Sequence, residues 1–261
     1  MGKITNALKK AADERLQRLE RINRIKQQER LVVKKMRDSV VDSRIITYFD
    51  PKALITEQYK ILRTNVMAIN KTKPPQVLVI TSSVHSEGKT ITALNLAITM
   101  AQSIQKPKVL LIDADMRRGR IAKYLGVDQE IGLKEILCGQ ATVEETLFHI
   151  DIDNLTFLSA GDVPENPAEL LSSEKMKQFL SDMRKQFDHI FIDTPPIISV
   201  TDSGLLGAQA DGVIMVVQAG RTQRGVVKHG AELLHQTHAQ IVGYVLTSIE
   251  YQLPEYIYRY L

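Results

Sequence analysis

The chain has 261 residues, 44% apolar and 25% charged, enough core-forming material for one large α/β domain with an extension, or at most two small domains. No run approaches the roughly 18–20 apolar residues of a membrane span. The N-terminus lacks the apolar segment of a secretory signal, and the single cysteine, Cys138, excludes an internal disulfide framework and suits a reducing cytosol as a buried small hydrophobe. The net charge of +4 is uneven: residues 1–40 hold 12 Lys/Arg against 5 Asp/Glu, a net +7 that leaves the rest at −3, so the body has no nucleic-acid footprint.

Residues 4–37 contain neither Gly nor Pro and are rich in helix formers. Ile4, Leu8, Ala11, Ala12, Leu16, Leu19, Ile22 and Ile25 recur at three- and four-residue steps, a narrow apolar stripe on a basic helical arm. A solvated arm, a dock for a partner helix and a contact with an anionic membrane face all fit that pattern. Residues 39–51 read as a linker, and 54–69 as a second helix that stops before Pro74 and Pro75. From Gln76 the pattern predicts strands at 77–81, 108–113, 155–159, 189–193, 212–218 and 241–247. Helices are expected near 90–103, 133–137, 173–186, 202–210 and 223–236. The strand runs are almost wholly apolar, as in strands buried on both faces. The alternation predicts a doubly wound, mostly parallel sheet flanked by helices, with ligands at the carboxyl ends of its strands. This divides the chain into an arm and linker (1–50), an α/β domain (51–250) and a tail (251–261).

Three strand ends carry chemistry. After the first comes Ser83-Val84-His85-Ser86-Glu87-Gly88, then Lys89-Thr90-Ile91 opening a helix. In a P-loop, the amides of such a loop and of the helix start point at phosphates. Gly88 permits close backbone approach, Lys89 reaches the β- and γ-phosphates, and the Thr90 hydroxyl ligates Mg²⁺. The pattern G-x-x-x-x-G-K-[ST] is met except at its first Gly, here Ser83. After the second strand, Asp113 and Asp115 lie two residues apart and point the same way if the chain is extended. That suits a hydrated Mg²⁺ and proton acceptance; the alternative is that they cap the next helix or pair with Arg117 and Arg118. The third strand ends in Asp193, before Thr194-Pro195-Pro196. Together these ends predict binding of ATP and Mg²⁺. Lys89, Asp113, Asp115 and Asp193 form the expected catalytic set. Thr90, Asp113 and Asp193 are expected at the metal, and residues 83–91 with Arg117 around the nucleotide.

The P-loop, the hydrophobic-Asp-x-Asp-x-Arg stretch ending at Arg117 and the hydrophobic-Asp-x-Pro-Pro stretch ending at Pro196 resemble the bacterial tyrosine kinase (BY-kinase) family, over roughly residues 54–261. Asn166-Pro-Ala-Glu-Leu-Leu171 and Asp202 resemble it too, and the basic arm resembles that of members encoded beside exopolysaccharide systems. The resemblance implies an ATP-dependent protein-tyrosine autokinase that controls polysaccharide synthesis and export. It implies a head-to-tail homo-oligomeric ring, with Glu57, Lys60 and Arg63 in the oligomerisation motif. Tyr251, Tyr256, Tyr258 and Tyr260 would be the autophosphorylated residues; four of the chain's 8 tyrosines fall in its last 11 residues. A separate transmembrane activator, a cognate tyrosine phosphatase and a cytoplasmic location against the inner membrane face are implied as well. Two departures stand out. Family members usually have Pro-Gly where this chain has His85-Ser86, and Lys60 replaces an Arg whose forked geometry Lys lacks. A partition- or division-site ATPase on the same fold and an ATP-binding assembly scaffold are the rivals. The former carries a signature Lys five residues before the P-loop Lys, where this chain has Val84.

Overall fold

The computed structural model describes residues 32–33, 41–69, 76–127, 131–149 and 152–249. Most of the expected arm helix and the whole tyrosine tail lie outside these residues. Inside the expected helix, Val32–Val33 is instead a two-residue strand, β1. Then follow α1 (Ile46–Phe49), α2 (Leu54–Ala68), β2 (Val77–Ser82), α3 (Lys89–Ala101), β3 (Val109–Asp113), α4 (Ile121–Leu125), α5 (Leu133–Cys138) and α6 (Val143–Thr146). The rest comprises β4 (Phe148–His149), β5 (Leu155–Leu158), α7 (Pro167–Ser172), α8 (Glu174–Arg184), β6 (His189–Asp193), α9 (Asp202–Gly207), β7 (Gly212–Gln218), α10 (Arg224–Gln236) and β8 (Ile241–Thr247). No helix among the described residues is long and apolar enough to cross a membrane.

The strands form one sheet in the order β1-β4-β5-β3-β6-β2-β7-β8. Every pair is parallel except β4 with β5. Because successive side chains point to opposite faces of a strand, the sheet feeds two cores. Leu78, Ile80, Leu111, Phe191 and Val216 pack with α2, α3 and α4 on one face. Val79, Leu110, Ile112, Ile190, Ile192 and Met215 pack with α5, α7, α8 and α10 on the other. The inner strands β2, β3 and β6 are buried throughout, whereas the edge strand β8 is half-buried to exposed. Helix α3 is buried continuously from Thr92 to Ala101, as expected of a helix apolar nearly all round. Register then sets the site: Asp193 is level with Asp113 on one side and with Ile80 of the P-loop strand on the other.

Two expectations need correction. Cys138 is an exposed free thiol, at the last position of α5, rather than a buried hydrophobe. The segment 41–50, expected as linker, packs onto the body: Ile45 and Thr47 are fully buried. The Thr47 amide and hydroxyl both donate to Asn95 Oδ1, at 3.1 and 2.8 Å. Asn95 Nδ2 donates in turn to the carbonyls of Arg44 and Ile91, at 3.1 and 2.9 Å. One helix side chain thus satisfies a buried turn that comes 48 residues earlier in the chain. Asn95→Ala leaves the Thr47 donors without an acceptor. It should cost about 2–3 kcal/mol, read as a lower urea midpoint at unchanged slope; a loss below ~0.5 kcal/mol would show that the segment is not docked.

Candidate active site

The loop between β2 and α3 is braced from below. Gly88 adopts φ 91°, in the left-handed region, and a Cβ there would stand 3.3 Å from Thr247 Cγ2. Glu87 is buried, and its carboxylate faces the scaffold rather than the cleft. It accepts from the amide of Val84 at 2.8 Å, the amide of Gln218 at 3.2 Å and the Thr222 hydroxyl at 2.5 Å. The Glu87 carbonyl accepts from the Thr247 hydroxyl at 2.7 Å. The ends of β7 and β8 therefore hold the loop from behind. Ser86, where the resembling family has Gly, also has a positive φ of 66°. A side chain there carries a backbone cost of about 1–2 kcal/mol that Gly avoids. Above the loop His85 Nε2 meets Ser199 Oγ at 3.3 Å. Ser83 is buried, with no hydrogen bond to its hydroxyl.

At the start of α3 one lysine faces three carboxylates. Lys89 Nζ lies 3.4 Å from Asp115 Oδ2 and 3.6 Å from Asp193 Oδ1. The Thr90 hydroxyl donates to Asp193 Oδ2 at 2.7 Å. Burial pushes Lys89 toward its neutral form, but Asp193, Asp115 and Asp113 overcome that and raise its pKa, so it remains an ammonium. Asp113 sits beneath the cleft rather than on its wall, with Oδ1 accepting from the Asp115 amide at 3.1 Å. Its Oδ2 accepts from the amides of Arg120 and Ile121, at 2.9 and 3.0 Å, so it caps α4, the alternative its position left open. Burial, reinforced by Asp193 alongside, pushes its carboxyl up to about 7. Asp193 is raised as well, chiefly by burial and against the pull of Lys89 and Thr90.

These residues fit a cation bound together with phosphate. Asp193 Oδ1 is buried without a hydrogen bond, beside the Thr90 hydroxyl. Among the described residues no group of three or more His, Cys, Asp or Glu side chains is arranged to hold a metal unaided. Mg²⁺ typically takes one or two carboxylates and completes its shell with water and substrate phosphate, and the Thr90 hydroxyl and the Asp193 carboxylate could supply the protein's share of such a shell.

The cleft above this corner holds about 220 Å³. Its lining includes the expected His85, Ser86, Gly88, Lys89, Thr90, Ile91, Asp115 and Asp193. Ser83, Val84 and Glu87 support the loop instead of lining it. Arg117, expected at the nucleotide, turns away to the fully buried Asp202, donating from Nε to Oδ2 at 3.2 Å, because that carboxylate requires a counter-charge. Sequence reasoning missed the other wall: Arg44, Arg118, Arg120 and Tyr124. The run Arg117-Arg118-Gly119-Arg120 was the available signal, but pattern alone does not say which arginines face the cleft. In α2, Glu57 pairs with Lys60 at 2.6 Å, and Arg63 donates to the Thr99 carbonyl at 2.8 Å. Tyr251, Tyr256, Tyr258 and Tyr260 lie outside the described residues.

The fold and the phosphate cradle define a P-loop α/β protein, and comparison with known proteins narrows the class. A family model described as "AAA domain" matches residues 76–245. Tyrosine-protein kinase YwqD of Bacillus subtilis is 34% identical over 83% of this chain and 90% of its own length. The crystal structure of the chimerical protein CapA2B2 superposes with a TM-score of 0.76 at 29% identity, covering 88% of this chain and 99% of that one. The kinase domain of Escherichia coli tyrosine kinase ETK gives 0.73 at 29% identity, covering 80% and 83%. The chain belongs to the bacterial tyrosine kinase family. It spans only about a quarter of the length of several other curated relatives, 26% in three cases and 28% in a fourth.

The crowding of Asp113 and Asp193 has a measurable consequence. A carboxyl whose pKa rises on folding adds stability below its unfolded value near ~4 and loses it as pH climbs through the folded value. For Asp113 that window closes at about 7. Asp193→Asn removes the like charge while keeping an oxygen for Thr90. The nucleotide-free variant should melt at least about 2 °C above wild type near pH ~8, with the gap shrinking toward pH ~5. Equal midpoints across that range would mean that the two carboxylates do not repel.

Proposed function

We propose that the chain is an ATP-dependent protein-tyrosine autokinase that modifies tyrosines of its own 251–261 segment in a neighbouring subunit. The observation that carries this reading is the position of Asp115, whose carboxylate faces Lys89 on one side and the open cleft on the other. Phosphoryl transfer needs positioning and charge neutralisation more than covalent help. In this reading the amides opening α3 and the Lys89 ammonium hold the β- and γ-phosphates. Thr90 and Asp193 would hold Mg²⁺, with Asp113 behind them as a support rather than a direct ligand; the metal would neutralise charge between those phosphates. Asp115 orients the acceptor phenol and takes its proton as the new O–P bond forms and the bond to the leaving oxygen of ADP breaks. An unperturbed tyrosine ionises near ~10, so proton removal accompanies transfer.

The regulatory side of the proposal follows from charge. Each phosphotyrosine adds about −1.5 to −2, which repels neighbouring tails and favours opening of a head-to-tail ring held through Glu57, Lys60 and Arg63. Such a cycle would serve exopolysaccharide synthesis and export at the inner membrane face. It would also need a separate transmembrane activator to reach full rate and a tyrosine phosphatase to reset it. Ser86 in the left-handed region supports a slow intrinsic rate, since it stiffens the loop that must close on phosphate.

The test is incubation with Mg·ATP, with and without an activator's cytoplasmic segment, followed by mass spectrometry of the C-terminal peptide. Phosphate is expected on Tyr256, Tyr258 or Tyr260. Lys89→Met should lower the yield about 100-fold or more, and changing those three tyrosines to Phe should remove most of it. Phosphate on serines, or nucleotide turnover with no phosphotyrosine under either condition, would overturn the assignment.

A further inference from the structure

The cleft has a charge pattern that phosphate binding does not use. Its floor carries Lys89 among aspartates, but its outer wall is cationic, formed by Arg118 and Arg120 between β3 and α4 and by Arg44 just before α1. Arg44 is committed elsewhere: it chelates Asp42 at 2.9 and 2.7 Å and lies 5.2 Å from the centroid of the Tyr124 ring. The guanidinium groups of Arg118 and Arg120 make no ion pair or hydrogen bond among the described residues, and both residues are exposed. Their backbones, by contrast, are tied to the aspartates that end β3 and follow it. The Arg118 amide donates to Asp115 Oδ1 at 3.1 Å and the Arg120 amide to Asp113 Oδ2 at 2.9 Å. The backbones that carry the two free cations are therefore fixed beside Asp115, the proposed acceptor of the hydroxyl proton.

We propose that Arg118 and Arg120 form a docking rim for an anionic group on the acceptor peptide, close in sequence to the tyrosine presented to Asp115. The proposal rests on the tyrosine-kinase reading. Asp115 divides the cleft, with Oδ2 toward Lys89 and the phosphate cradle and Oδ1 toward Arg118. A phenol reaching Asp115 from the open side brings its flanking residues over the rim. Extended peptide advances about 3.3 Å per residue, so a carboxylate or phosphate one or two positions away falls within reach of long arginine side chains. This chain's own acceptor segment has that pattern, with Glu255 directly before Tyr256 and Tyr258 two residues after it. A guanidinium fork binds either anion through paired hydrogen bonds. The rim thus favours tyrosines next to acids, and a first phosphorylation strengthens docking for the next.

The test uses the full-length chain and fluorescein-labelled peptides with the sequence of residues 250–261, read by fluorescence anisotropy. The peptide is supplied with Glu255, with Gln at that position, or with phosphate on Tyr258. The double variant Arg118→Ala/Arg120→Ala should weaken the Glu255 peptide about 5- to 10-fold and the phosphopeptide more strongly. The Gln peptide should bind wild type weakly and be nearly insensitive to the variant. Arg118→Lys/Arg120→Lys keeps the charge and should recover part of the affinity, which separates docking from misfolding. Wild-type peptide binding should also fall as salt rises. Unchanged peptide affinity in the double Ala variant would overturn the proposal. So would a loss confined to Mg·ADP affinity, which would assign the rim to the nucleotide. Binding is read without turnover, so an absence of phosphotyrosine would count against the kinase reading and leave this result intact.

Discussion

At the start of α3, a single ammonium stands among three largely buried carboxylates. Lys89 is 3.4 Å from Asp115 and 3.6 Å from Asp193, and Asp113 lies level with Asp193 on the next strand. Burial disfavours every one of these charges, and the lysine alone cannot balance three acids. Such a corner is stable only because the sheet around it holds the groups in place, and its excess of negative charge prepares it for a cation. In the proposed reading, a triphosphate carrying Mg²⁺ would supply positive charge to the aspartates and phosphate oxygens to Lys89 and the loop amides. The same crowding that weakens the free protein therefore becomes useful when ligand arrives.

The sheet order makes this possible. Asp113, Asp193 and the P-loop follow three adjacent strands, β3, β6 and β2. Parallel pairing puts all three carboxyl ends on one edge, and register sets them level. The next strands outward, β7 and β8, fix the loop through Glu87, Thr222 and Thr247. Thr247 lies just before the tyrosine-bearing segment, so the strand leading into that segment also supports the P-loop.

Much of this was legible in the sequence because its cause is local. Buried strands are short apolar runs, and β6, β7 and β8 have the expected bounds, 189–193, 212–218 and 241–247. The Lys89, Asp115 and Asp193 side chains meet as the three motifs implied. What escaped depends on contacts distant in the chain. Residues 41–50 read as linker because their apolar residues, Val41, Ile45, Ile46, Tyr48 and Phe49, span too short a stretch to declare an element, and the acceptor that holds Thr47 is Asn95 on α3. Arg117 follows Asp115 so closely that it read as a phosphate ligand, yet the buried charge of Asp202, 85 residues on, captures it. Asp113 and Asp115 look equivalent in sequence. The turn after β3 separates them, giving Asp113 to the α4 amides and Asp115 to the cleft. Ser86 stood out in the sequence as a departure from the family's Gly, and its positive φ shows why a Gly would suit that position.

The central claim is that this anionic corner takes nucleotide and metal together. Calorimetric titration of the wild-type chain with ADP, with and without Mg²⁺, tests it most directly. The account predicts saturable heat with the metal present and binding at least about tenfold weaker once it is chelated, because phosphate alone adds negative charge beside Asp115 and Asp193. Equal affinity in the two titrations, or no heat in either, would contradict it.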